Sequence, residues 1–214
     1  MRKIKTSIKY LLRKSGYEIC QLSESEKLEI PMCNAFTYKE AQCFRALASA
    51  GQISFAEARF LTELVKSSDP ARPIIEIGTL FGHSTIVMAL AKDPGQQLIT
   101  VDNFSWNPLG LSADAHYAIV RYRLAELTRT QNVQVLKTDK DEFYRGYVGP
   151  PPALFFCDAD HSYEATRADL LWARSVGASI VCGDDYLHAS QQGVTQIVDE
   201  LGGPKRLVDG LFLL

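Results

Sequence analysis

The chain predicts an α/β fold. The expected form is a three-layer sandwich around a mostly parallel seven-stranded sheet, with a C-terminal antiparallel hairpin and an N-terminal helical extension. Three observations predict it. From Pro73 onward, short apolar runs alternate five times with stretches of helical period. The runs are continuously apolar, as strands covered on both faces are. The chain closes with two short apolar segments around Asp209-Gly210, a hairpin signature.

The elements follow in order. Residues 1–70 form the extension and 71–214 the α/β domain. Arg2, Lys3, Lys5, Lys9, Arg13 and Lys14 surround Ile4, Ile8, Leu11 and Leu12 at helical spacing, which predicts a basic amphipathic helix ending near Gly16. It either packs on its own domain or a second subunit, or lies on a membrane surface. A polar linker around Pro31 leads to a helical stretch over 38–67, which caps the substrate pocket. Strands are expected at 74–77, 98–101, 133–136, 153–157 and 179–182. Helices are expected at 83–92, 112–129, 139–147, 162–175 and 189–200. Gly95, Asn132, the Pro150–Pro152 run and Gly177 mark boundaries. Arg206–Val208 and Leu211–Leu214 form the hairpin.

Composition narrows the class. A hydrophobic fraction of 46% and a charged fraction of 22% suit a soluble globular protein. A net charge of -2 offers no basis for nucleic-acid binding. Cys20, Cys33, Cys43, Cys157 and Cys182 are odd in number and lack a C-x-x-C pair, so reduced thiols in a cytoplasmic protein are expected. No apolar run is long enough to span a bilayer. The basic start lacks the continuous apolar core of a signal peptide.

Ligands of parallel sheets collect at the carboxyl ends of the strands. The first such end reads Glu76-Ile77-Gly78-Thr79-Leu80-Phe81-Gly82-His83-Ser84-Thr85. The glycines do not follow G-x-G-x-x-G, and no Walker lysine is present, so dinucleotide and P-loop readings fail. Glu76 suits a cationic, ammonium-bearing ligand. Ser84 and Thr85 cap the next helix and leave its amides open to ligand oxygens. Thr79 and His83 approach the ligand from within the turn. Asp102, followed by Asn103, lies about twenty residues on and suits a ribose diol. Asp139, after the third strand, is either a ligand contact or a helix cap. Trp106 lies in a 104–117 segment that can form a lid. His116 reads as structural; His188 is either a substrate contact or exposed.

The fourth and fifth strands each deliver two acids. Asp158 and Asp160 follow one, Asp184 and Asp185 the other. Adjacent parallel strands lie about 5 Å apart, so these carboxylates would repel without a cation among them. Oxygen donors favour magnesium, calcium or manganese. His161 and Asp160 are the two candidates for a proton-accepting base; a histidine titrates near neutral pH, as a base needs.

The pattern Glu76-x-Gly78-x-x-x-Gly82 resembles motif I of the class I S-adenosylmethionine-dependent methyltransferases, which are Rossmann-like. The segments Asp158-x-Asp160-His161-x-Tyr163 and Gly183-Asp184-Asp185-Tyr186 resemble those of a bacterial family near the metal-dependent sugar and macrolide O-methyltransferases. Catechol and caffeoyl-coenzyme A enzymes are more distant. The resemblance covers roughly residues 38–214. It implies S-adenosylmethionine at Glu76, Gly78, Thr79, Gly82, His83, Ser84, Asp102, Asn103, Asp139 and Asp158, with Asp139 near the adenine. It implies a divalent cation, magnesium above all, on Asp158, Asp184 and Asp185. The catechol-type lysine falls near His161, which leaves the base open between His161 and Asp160. The implied acceptor is a hydroxyl of a small molecule or glycan, namely a sugar, glycan or secondary metabolite. Apart from the resemblance, the basic N-terminal helix suits self-association or peripheral membrane binding, and a homo-oligomer is expected. A metal-independent N- or O-methyltransferase and a non-catalytic binding module of the same fold are the alternatives.

Overall fold

The computed structural model describes residues 53–214. The basic helix at 2–14, the linker and the first part of the 38–67 stretch lie outside the described residues. Residues 53–214 form one compact unit. Its first helix, α1 (Phe55–Ser67), begins at a capping box: Ser54 accepts from the Glu57 amide and Glu57 reaches back to the Ser54 amide. Ser54, with extended backbone, therefore sets the start of α1 within the helical stretch expected over 38–67.

The remaining elements are β1 (Ile74–Ile77), α2 (His83–Ala91), β2 (Leu98–Asp102), α3 (Ala113–Thr130), β3 (Val133–Lys137), α4 (Lys140–Gly146), β4 (Leu154–Cys157), α5 (Tyr163–Ser175), β5 (Ile180–Gly183), α6 (Gln192–Glu200), β6 (Arg206–Val208) and β7 (Leu211–Leu213). The last major helix begins later than expected because His188 and Gln191 close a turn ahead of it: the Gln191 amide donates to the His188 carbonyl. The sheet order is β3-β2-β1-β4-β5-β7-β6. β1 to β5 are parallel, and β7 runs antiparallel between β5 and β6.

Strand parity divides the core. Ile74, Leu98, Leu154 and Phe156 pack on the face covered by α1, α2 and α3; Ile75, Ile77, Phe155 and Cys157 pack on the face of α4, α5 and α6. Each large apolar side chain so buried contributes about 1.5–3 kcal/mol. Cys157 and Cys182 are buried free thiols in this core. Among the described residues no helix is long and apolar enough to cross a membrane.

The order reverses between β1 and β4. There the Asp158 amide donates to Ile77, the Gly78 amide to Val101, and the Asp184 amide to Cys157. The strands thus end in step, and the turns after β1, β2, β4 and β5 share one edge.

Candidate active site

The turn after β1 is strained and closely packed. Gly78, Leu80 and Gly82 all have positive φ (100°, 43° and 78°). A Cβ on Gly78 would lie 1.8 Å from the Asp158 carbonyl oxygen, so only glycine allows the β1 and β4 turns to meet. Gly82 caps α2 without any side-chain bond. Ser84 and Thr85 are not the caps expected from sequence. Their hydroxyls donate to the two oxygens of Glu76, each at 2.5 Å. Parity explains this: Glu76 shares a face with Ile74, toward α2. Glu76 is fully buried. Burial pushes its carboxyl up, hydrogen bonds from Ser84, Thr100 and Thr85 pull it down, and Asp102 pushes it up. The acid ties β1 to the first turn of α2. No side chain caps that turn, and a helix N-terminus is an end at which ligand oxygens can bind. Thr79 is buried too, its hydroxyl 2.6 Å from that of Thr100. His83 opens α2 and is half-buried.

Asp102, at the end of β2, is half-buried. Its oxygens accept from the Leu80 amide at 2.8 Å and the Phe104 amide at 2.6 Å. Each carboxylate oxygen keeps a second lone pair, the acceptor capacity a ribose diol requires. Exposed Asn103 accepts from the Ser105 amide. Asp139 is exposed and caps α4 through the Asp141 amide at 2.9 Å. Trp106 is 69% exposed. This set (a carboxylate at β2, the N-terminus of α2, an acid beyond β3) fits an amino-acid nucleoside.

Beyond β4 and β5, one ligand atom each from Asp158, His161 and Asp185 lie within 4.8 Å of one another. His161 Nε2 is 3.3 Å from Asp185 Oδ2. Asp185 takes a left-handed backbone (φ 65°), a strained conformation of the kind that gathers at functional sites. Burial pushes the Asp158 carboxyl well up, and Asp184 and Asp185 add to it, with Glu76 and Glu57 behind them. That unrelieved negative charge is what a divalent cation would neutralise, so the donors fit one.

Asp184 stands outside this group. Its Oδ1 and Glu57 Oε1 both border Gly210, where a Cβ would meet them at 3.0 and 3.2 Å. Burial first and Glu57 second push Asp184 up to about 7. Glu57 itself accepts from the Gly210 amide at 2.7 Å. Glu57 is not among the residues that the sequence singles out for the site. The Ser54-x-x-Glu57 spacing signals a helix start, but not a neighbour across the fold. Asp160 is exposed and accepts from the Ser162 amide at 2.8 Å, which holds it below the usual carboxylate range. His161 faces the acidic group instead. His188 is exposed, bonded to Ser190.

A family model described as a methyltransferase domain matches residues 75–186, just over half of the 214-residue chain. A cofactor-bound protein from MTB is 22% identical, over 81% of this chain and 85% of that one, with TM-score 0.60. An O-methyltransferase from Bacillus cereus in complex with SAH is 20% identical, over 82% and 86%, with TM-score 0.60. The O-methyltransferase TomG from Streptomyces achromogenes, involved in tomaymycin synthesis and in complex with SAM, is 19% identical, over 97% and 93%, with TM-score 0.55. A search of curated proteins found no match. By the family match, the strand order and the glycine turn, the chain belongs to the methyltransferase-domain family and is a class I, S-adenosylmethionine-dependent methyltransferase.

Proposed function

We propose that the chain methylates a hydroxyl of a sugar, glycan or secondary metabolite, assisted by a divalent cation. One observation carries the metal-assisted reading: the convergence of Asp158, His161 and Asp185 beside the cofactor turn. The acceptor class rests on the family resemblance and on small-molecule neighbours such as the tomaymycin enzyme.

When bound, S-adenosylmethionine supplies a methyl group made electrophilic by its sulfonium. The Asp102 carboxylate receives ribose hydroxyls, and the uncapped end of α2 receives carboxylate oxygens. Asp158 and Asp185 would hold the cation with His161 as third donor, and a cation held there would supply Lewis acidity that makes an acceptor hydroxyl easier to deprotonate. Two carboxylates and an imidazole suit manganese or a similar borderline ion at least as well as magnesium. Asp184 enters the set only on leaving Glu57. The acceptor oxygen, having lost its proton, attacks the methyl carbon as the carbon–sulfur bond breaks and S-adenosylhomocysteine leaves, so alignment of acceptor and methyl donor supplies much of the rate.

The 3.3 Å approach of His161 to Asp185 favours a second, metal-independent reading. Asp185 then orients His161, and His161 takes the acceptor proton. Asp160, held to the start of α5 and kept acidic, is the weaker base.

Calorimetric titration of S-adenosylmethionine, in EDTA and then with magnesium or manganese, tests the cofactor. Titration of each ion into wild type and Asp185→Asn tests the cation. The metal-assisted reading expects ion binding that Asp185→Asn weakens at least tenfold or so. Turnover undiminished by EDTA favours the dyad.

A further inference from the structure

We infer that His116 is a positioning residue of the cofactor turn, holding the Leu80 peptide in the orientation that binding needs. The inference rests on the reading of that turn as the S-adenosylmethionine site. His116 is no part of the glycine motif and lies in α3, on the first turns after the 103–112 loop.

Leu80 is the one non-glycine residue of the turn in the left-handed region (φ 43°). Such a conformation in a residue with a side chain persists only where its surroundings over-determine it. Here the peptides on either side of its Cα are both held. The Leu80 amide donates to Asp102 Oδ2 at 2.8 Å. Its carbonyl accepts from His116 Nε2 at 2.7 Å. The next carbonyl, of Phe81, accepts from Arg123 at 2.9 Å, also from α3.

A carbonyl can only accept, so Nε2 is the donor. Nε2 carries a hydrogen, and Nδ1 is buried with no hydrogen-bond partner among the described residues. The ring is fully buried. It lies 4.7 Å from the Phe81 ring and 5.1 Å, edge-on, from Phe104. The Phe104 amide donates to the other oxygen of Asp102. A closed circuit results: Asp102 to Leu80, Leu80 to His116, His116 to Phe104, and Phe104 back to Asp102. It joins the turn after β1 to the turn after β2, the two turns that flank the nucleoside. A residue serving only to fill the core would need bulk alone, whereas this circuit needs a donor at the Nε2 position.

The test is calorimetric binding of S-adenosylhomocysteine to the full chain and to three variants, with thermal melts alongside. His116→Gln places an amide donor near Nε2. His116→Asn carries a donor that is too short to reach Leu80. His116→Leu keeps bulk and removes the donor. We expect His116→Asn and His116→Leu to bind about tenfold more weakly, as loss of one hydrogen bond to a fixed peptide implies. His116→Gln should remain within about threefold of wild type. Equal affinity of wild type and His116→Asn would overturn the inference. So would losses in all three variants that follow their melting temperatures and not the donor. If His116→Leu does not fold, the comparison of Gln with Asn decides alone. A wild-type chain that binds no S-adenosylhomocysteine removes the cofactor reading and this inference together, and is separated from the other outcomes by the wild-type titration.

Discussion

The two halves of the sheet edge are built on opposite electrostatic terms. On the β1–β2 side every acid is answered by the chain itself. Glu76 takes two hydroxyls, and Asp102 takes two backbone amides. On the β4–β5 side the acids face one another. Burial pushes both Asp158 and Asp184 up, and like charge adds to it: Asp184 and Asp185 at Asp158, Glu57 at Asp184. The first side is preorganised without any ligand. The second carries a surplus of charge that a proton, a cation or His161 must balance. A rigid cofactor cradle thus stands beside a site whose charge state depends on what is bound.

The largest expected effect breaks the first side. Gly78→Ala forces a Cβ against the Asp158 carbonyl and a side chain into a φ of 100°. Overpacking and backbone strain together cost about 3 kcal/mol, which lowers the melting temperature by about 10 °C. S-adenosylhomocysteine binding should vanish with it. A variant that melts like wild type would show that the two turns are looser than their contact implies.

The next effect belongs to the second side alone. His161→Gln should lower turnover by about 10²–10⁴ if the imidazole accepts the acceptor proton, and leave S-adenosylhomocysteine affinity unchanged. Asp160→Asn should cost less than about tenfold. The reverse order in steady-state kinetics would move the base to Asp160.

A pH dependence follows from the surplus charge. Asp184 is pushed up to about 7 from an ordinary 3.8. Folded Asp184 therefore keeps a proton over a range in which the unfolded chain has released it. Stability falls as pH rises from about 4 to about 7 and is level beyond. In EDTA, the melting temperature of wild type relative to Asp184→Asn should drop across that window. Equal profiles for the two proteins would remove the Glu57–Asp184 contact as its source.

The smallest effect sharpens the boundary of the cofactor side. Asp139→Ala removes the cap of α4 and should cost about 1 kcal/mol in a denaturant melt. Unchanged S-adenosylhomocysteine affinity would leave Asp139 as a cap only. A fall in affinity beyond that loss would assign it to the adenine as well.

Local pattern made much of this chain legible. The four residues 74–77 form a strand as read, because a short apolar run between a proline and a glycine has few other uses. The Asp209-Gly210 hairpin and the acids at the strand ends follow from turn chemistry and from the rule that parallel strands end together. The match to a methyltransferase domain over 75–186 agrees with the glycine turn and strand order.

Other features belong to residues distant in sequence. Glu76 looked like an open ligand acid, yet parity turns it toward α2, where Ser84 and Thr85 enclose it. Asp184 looked like one of three converging carboxylates, but Glu57 and Gly210 meet it from the far ends of the described chain. His116 read as structural, and only the packing of α3 shows that it holds Leu80. The sequence by itself determined the sheet, the glycine turn and the acids delivered to its edge, since these depend on spacing along one strand or turn. Only the tertiary structure decided which acids are satisfied and which confront each other. That depends on the approach of α1, α2 and α3, and desolvation and hydrogen bonding act on groups in space, not in order.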